Sequence, residues 1–113
     1  MCSQEKLINL LDELTVRLRG LFAEHLREVI LFGSYARNDA DDGSDVDVMV
    51  LVDIPREAIV RYRRQVAEIA GDLLMENNVL ISPIVENQAF FAHYRSELPF
   101  YRNIDREGVR VSA

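Results

Sequence analysis

Residues 45–53 alternate between two sets of side chains, the pattern of a β-strand whose two faces meet different surroundings. One face carries valine at positions 46, 48, 50 and 52. The other carries Asp45, Asp47, Met49 and Leu51. Because apolar side chains gain free energy when they leave water, we expect helices to cover the valine face. The same alternation places two carboxylates on one face at the start of the strand.

Hydrophobic periodicity predicts further helices and strands around this one. Helices are predicted over 3–21, 56–76 and 88–97, with a short helix after Gly33 and another that ends at Glu107. Strands are predicted over 28–32, 79–85 and 109–111. This order of elements favours an α/β (α+β) fold in which helices pack on a small sheet.

Single residues mark the ends of several of these elements. Ser3 is placed as the N-cap of the first helix, and Gly108 fits a C′ cap after the last one. Pro83 lacks a backbone N–H, so the strand that contains it should lie at a sheet edge or carry a bulge.

Size and charge narrow the class of protein. With 113 residues, of which 49% are hydrophobic, residues 1–113 are expected to form a single domain. The net charge of −6 argues against broad DNA or RNA binding through phosphate neutralisation. No stretch approaches the roughly 20 apolar residues that span a bilayer. A lone cysteine, Cys2, favours a reducing compartment, so we expect a cytoplasmic protein without membrane contact.

A phosphate-binding pattern extends from the end of the first predicted strand to the start of the second. An apolar run ends at Gly33-Ser34, Arg37 follows one helical turn later, and Asp45 and Asp47 open the next strand. Glycine allows close backbone approach, serine and arginine can hold phosphate oxygens, and paired carboxylates are ligands for Mg²⁺ or Mn²⁺. The combination predicts a metal-dependent phosphate site. Ser44 fits two roles equally well, capping the strand or contacting a ligand phosphate.

The motif Gly33-Ser34-x-Ala36-Arg37, followed by Ser44-Asp45-x-Asp47, resembles that of the DNA polymerase beta nucleotidyltransferase superfamily. The short chain with its leading helix is similar to the minimal nucleotidyltransferase (MNT) branch, and the resemblance covers nearly the full length. It implies a mixed β-sheet palm with flanking helices, Asp45 and Asp47 as catalytic metal ligands, and transfer of a nucleoside monophosphate from a triphosphate such as ATP. Many members of this branch resemble antitoxins paired with a HEPN-domain toxin, which some inactivate by adding AMP to a tyrosine.

One position departs from the family pattern. Active members usually carry a third carboxylate on the strand after the long helix, and here Ser82 stands at that place. A serine hydroxyl is neither an anionic ligand nor a useful base at neutral pH. Glu86 has the same strand parity but lies roughly 13 Å further along, and we interpret it as a solvated strand end.

Three functions remain open from the sequence. The first is a Mg²⁺-dependent transferase that moves AMP to a hydroxyl of a partner protein. The second is a non-catalytic antitoxin with a degenerate triphosphate site, which Ser82 favours. The third, transfer to a small molecule, would need an acceptor pocket from a second domain. The oligomeric state is also open, a homo-oligomer included. Aromatic residues 90, 91, 94, 100 and 101 fit core packing or, less well, a partner surface.

Overall fold

The structure is a computed structural model that describes residues 2–111, which contain six α-helices, two short 3₁₀ turns (Ala23–His25 and Val60–Tyr62) and four strands. The helices are α1 (Gln4–Phe22), α2 (Ser34–Arg37), α3 (Arg56–Ile59), α4 (Arg63–Asn77), α5 (Gln88–Tyr94) and α6 (Pro99–Glu107). The strands are β1 (Leu26–Phe32), β2 (Val46–Val52), β3 (Ile81–Asn87) and β4 (Val109–Val111). None of the helices within 2–111 is both long and apolar enough to cross a bilayer.

The strands form one mixed sheet in the order β3-β2-β1-β4. β1 runs antiparallel to β2 and β4, whereas β2 and β3 run parallel. A parallel pair needs a long crossover, which α3 and α4 supply. β3 lies at the edge of the sheet, as Pro83 predicted, and the mixed α/β fold is confirmed.

The sheet is covered by helices on both faces. The valine face of β2 packs against α1 and α4, as expected, through the buried residues Leu10, Leu14, Leu18 and Leu73. The opposite face packs against α5 and α6 through Ile30, Met49, Leu51, Phe91 and Ile104. Both cores share β1 and β2, so the strand that carries the aspartates is fixed from both sides.

Of the two residues predicted to cap helices, one does so and the other has a different role. Ser3 caps α1 as predicted, because its hydroxyl accepts a hydrogen bond from the Lys6 N–H at 3.1 Å. Gly108 follows α6, but its φ of −66° is not the left-handed geometry of a C′ cap. Glycine is needed there for space, since a Cβ would collide with the Ile30 side chain and the Ile104 carbonyl.

Several predicted boundaries are wrong. The helix predicted over 56–76 is divided by a 3₁₀ turn at Val60–Tyr62, which lets Tyr62 pack on Phe22 with ring centroids 5.0 Å apart. The third strand begins two residues later than predicted and continues to Asn87, paired with Val52 of β2. The helix predicted over 88–97 ends at Tyr94.

Candidate functional site

The turn after β1 holds Gly33 in a conformation that favours glycine. Gly33 has a φ of +76°, and a Cβ at this position would overlap the Asp47 carboxylate. The residue before it, Phe32, lies directly opposite Asp47 in the pairing of β1 with β2. The absent side chain therefore lets the backbone of the turn approach that carboxylate, and Ser34 begins α2 beside it.

Asp45 and Asp47 lie side by side at the start of β2, on the face opposite to the valines. Asp45 directly precedes the strand and Asp47 is its second residue. Burial raises the pKa of Asp47 above its usual value, and the charge of Asp45 raises it further, while Arg37 acts in the opposite direction. Two carboxylates in this arrangement favour a bound cation between them.

Ser82 lies next to both aspartates. It pairs with Asp47 across the parallel strands β2 and β3, and its hydroxyl donates a hydrogen bond to the Asp45 carboxylate at 3.2 Å. The serine thus occupies the place where the resemblance implied a third acid. Among residues 2–111, no three His, Cys, Asp or Glu side chains converge as a metal-binding group.

Glu86 is not the solvated strand end that the sequence predicted. Its side chain is almost fully buried and accepts hydrogen bonds from the Tyr101 hydroxyl, from Arg56 Nε at 3.1 Å and from the Asn87 N–H at 2.8 Å. Arg56 also stacks on Phe90, 3.7 Å from the ring centroid. The prediction failed because Tyr101 and Arg56 lie on other elements, distant in sequence from Glu86. The Glu86 carboxylate is occupied with structural contacts.

Arg37 ends α2 with its guanidinium close to the site. It pairs with Asp39 at 3.3 Å and with Glu107 of α6 at 3.5 Å, and these contacts raise its pKa. Both ion pairs are exposed, so each holds the guanidinium only weakly. Arg37 can therefore exchange these carboxylates for another anion.

Ser44 stabilises the loop before Asp45 through hydrogen bonds. Its hydroxyl accepts a hydrogen bond from the Asp41 N–H at 3.0 Å and donates one to the Asp41 carboxylate at 3.2 Å. Ser44 and Asp45 border a cavity of ≈ 410 Å³ together with Tyr35 and Leu80. The hydroxyl thus stabilises the turn directly before Asp45. Contact of Ser44 with a ligand phosphate stays a prediction.

A second cleft of ≈ 410 Å³ joins the remaining site residues. Gly33, Ser34, Arg37 and Asp47 form one wall of it. Phe100, Asn103 and Glu107 of α6 form the other, and sequence reasoning missed this wall as part of the site. Their spacing of three and four residues places them on one helix face. That spacing was visible in the sequence, but nothing in it showed which face of α6 would meet the turn.

Comparison with protein families and curated proteins places these features in context. Residues 11–101 match the family described as "Nucleotidyltransferase domain". "Putative protein adenylyltransferase MJ0141" of Methanocaldococcus jannaschii is 32% identical over 97 residues, which cover 85% of this chain and 95% of that protein. "Putative protein adenylyltransferase MJ0604" of the same organism is 29% identical over 106 residues, which cover 94% of this chain and 95% of that protein.

Solved structures share the fold. One is the crystal structure of a "putative nucleotidyltransferase" from Sulfolobus solfataricus, with a TM-score of 0.64 at 20% identity. The match covers 95% of this chain and 80% of that chain. A mutant of the "toxin-antitoxin MntA-HpeT" has a TM-score of 0.56 at 18% identity, with 99% of this chain and 74% of that chain covered. At these identities the likeness is one of fold.

Proposed function

The chain belongs to the nucleotidyltransferase domain family, and we propose that it transfers AMP from ATP to a hydroxyl group of a partner protein in the cytoplasm. The new bond joins the acceptor oxygen to the α-phosphorus of ATP. The bond between the α-phosphorus and the oxygen that joins it to the β-phosphate breaks. Pyrophosphate leaves with that oxygen, and the hydroxyl proton passes to water. The residues of the Gly33–Asp47 segment carry this proposal.

The observation that supports it most directly is the cleft beside Asp47. The turn at Gly33 and Ser34 brings backbone and hydroxyl groups to one side of it, and Arg37 adds a positive charge. These groups suit the oxygens of a triphosphate, since glycine admits close approach and a guanidinium binds phosphate in a bidentate manner. Asp47 stands at the same cleft, where the reacting phosphate would lie.

The donor set fits Mg²⁺ or Mn²⁺. Asp45 and Asp47 offer adjacent carboxylates, and Mg²⁺ is commonly held by one or two carboxylates together with substrate phosphates and water. When bound, the cation supplies charge neutralisation at the reacting phosphate. Ser82 orients Asp45 through its hydrogen bond, while Arg37 would neutralise charge on the departing pyrophosphate.

The acceptor that we propose is a tyrosine hydroxyl of a HEPN-domain toxin, so that the protein acts as an antitoxin. Two relatives carry the name "Putative protein adenylyltransferase", and one structural neighbour comes from a toxin–antitoxin pair. These similarities support a protein acceptor over a small molecule.

Labelling with ATP tests this activity. We expect ATP labelled at the α-phosphate, with Mg²⁺, to label a HEPN-domain protein encoded beside this chain. The double variant Asp45→Asn, Asp47→Asn should reduce the label at least about a hundredfold, because both carboxylates that hold the cation are neutralised. Asp53→Asn is the matched control, since Asp53 follows the other end of β2 and pairs with Arg27. Label that persists in the double variant would contradict the proposal.

A second candidate function is neutralisation of a toxin by binding alone. Ser82 favours it, because this position adds no third negative ligand beside Asp45 and Asp47. In that case the double variant would still form the complex with the toxin and restore growth. Loss of growth rescue, with complex formation retained, would favour the catalytic function.

A further inference from the structure

Helix α6 forms the wall of the cleft that faces the phosphate-binding turn. Phe100, Asn103 and Glu107 line this wall, opposite Gly33 and Arg37. The volume of ≈ 410 Å³ lies in the range of sites for small ligands, whereas a docked protein would need a wider surface. A cleft of this volume has room for a small ligand such as a nucleotide.

Phe100 is half-exposed although it is a large apolar side chain. It is 49% exposed, while Ile104 on the same helix is buried in the core. The Phe100 ring packs against Phe32, with centroids 5.8 Å apart and planes at 84°. Phe32 lies opposite Asp47 across the sheet, so both side chains leave the sheet on the same face. An aromatic surface thus remains open to the cleft that Asp47 also lines.

Contacts of the neighbouring residue Tyr101 hold the helix that carries Phe100 in place. Tyr101, the next residue, donates its hydroxyl to the buried Glu86 carboxylate. Its ring also lies against Phe91, 5.2 Å between centroids. A wall that is already ordered loses little entropy when a ligand binds. The order of this helix therefore supports a role in ligand binding for the exposed Phe100 ring.

Asn103 adds a polar group one helical turn from Phe100. Its side chain is exposed at the cleft, and no hydrogen bond joins it to another side chain or backbone group in the described part of the chain. An amide presents a donor and an acceptor together, the pattern that complements the N6 amino group and a ring nitrogen of adenine. Guanine presents two acceptors at the corresponding edge and matches an amide less well.

We propose that Phe100 and Asn103 form the nucleobase subsite, in which adenine stacks on the Phe100 ring and Asn103 contacts its polar edge. This inference rests on the proposed function, because it assumes that the Gly33 turn holds the phosphates. The base belongs in this cleft because the nucleoside is covalently joined to those phosphates. The acceptor has a separate place to approach, since Asp45 borders the cavity of Ser44 and Tyr35. Within residues 2–111 this cavity shares no lining residue with the cleft.

Binding measurements with Mg²⁺ present test the subsite without turnover. The probes are α,β-methylene-ATP, its guanosine counterpart and inorganic tripolyphosphate, each titrated by calorimetry into the full chain. Phe100→Ala should weaken binding of the adenosine analogue about tenfold and leave tripolyphosphate affinity unchanged, because only the former has a base to stack. Phe100→Tyr should retain affinity, and Asn103→Ala should reduce the preference for adenosine over guanosine.

Two further variants keep the test decisive. Phe100→Leu preserves an apolar contact with Phe32 while removing the aromatic face, so it should show the same selective loss if Phe100→Ala folds poorly. Val60→Ala is the matched control, because Val60 is 52% exposed and lies outside the cleft. The subsite alone would be overturned if the Phe100 variants weakened binding of the adenosine analogue and of tripolyphosphate equally, or weakened the binding of neither. A native chain that binds neither triphosphate nor tripolyphosphate would overturn the proposed function as well.

Discussion

A serine at position 82 changes what the two aspartates beside it can do. Its hydroxyl donates to Asp45, so it orients that carboxylate without adding negative charge. With two anionic ligands instead of three, the protein contributes less to cation binding, and the phosphates of the nucleotide must contribute more. Cation and nucleotide should therefore bind cooperatively, each weakly in the absence of the other.

Substitution of this serine tests how ligand charge sets metal affinity. Ser82→Asp should increase the affinity for Mg²⁺ about tenfold in the absence of nucleotide, because a third carboxylate joins Asp45 and Asp47. Without metal the same variant should be less stable than the native chain, since three like charges lie together. Both effects can be measured by calorimetric titration and by thermal unfolding with and without Mg²⁺. Ser82→Asn is the neutral control, and an Mg²⁺ affinity no higher than that of the control would contradict this account.

The attachment of helix α6 to the sheet depends on a buried carboxylate of strand β3. Glu86 of β3 accepts hydrogen bonds from Tyr101 of α6 and from Arg56 of α3. Burial and the hydrogen bond to Glu86 raise the pKa of Tyr101 to about 12. The protonated Tyr101 hydroxyl thus holds helix α6 against Glu86 through a hydrogen bond. This attachment should weaken when the hydroxyl ionises.

The variant Tyr101→Phe separates this contact from the rest of the fold. At neutral pH it should lower the free energy of unfolding by about 1–2 kcal/mol, because a buried acceptor on Glu86 loses its donor. The pKa of Tyr101 is higher in the folded chain than its ordinary value of 10, so its contribution is full below pH 10 and is lost as the pH rises toward 12.

Urea unfolding measured between pH 7 and 11.5 checks the pH dependence of Tyr101. The native chain should lose stability faster than Tyr101→Phe above pH 10. Tyr94→Phe is the matched control, because Tyr94 stacks on Phe90 and its hydroxyl has no hydrogen bond within residues 2–111. If the native chain and Tyr101→Phe show the same pH dependence, the Tyr101–Glu86 contact does not fasten α6.

At the scale of the whole molecule, local patterns were readable from the sequence and long-range contacts were not. The alternation of β2 follows from the side-chain period of a strand, so the sequence predicted it. The missing N–H of Pro83 limited its strand to a sheet edge or a bulge, and in the structure the strand lies at the edge. At the 3₁₀ turn before α4, Tyr62 packs against Phe22, forty residues away, and no local signal in the sequence specifies that turn or that contact. For the same reason the residues of the Gly33–Asp47 segment could be brought together as a candidate site from the sequence, whereas the α6 wall required the folded chain.

The two hydrophobic cores share β1 and β2, which leads us to propose that residues 1–113 unfold as a single domain. Leu14 of α1 and Ile104 of α6 are fully buried on opposite faces of the sheet. Leu14→Ala and Ile104→Ala should each lower the free energy of unfolding by about 2–5 kcal/mol, through lost burial and the cavity that remains. Because both cores depend on the same strands, either variant should lower the protection of both helices together. Hydrogen exchange followed by mass spectrometry checks this; if Ile104→Ala releases α6 while α1 keeps its native protection, the two faces are separate units.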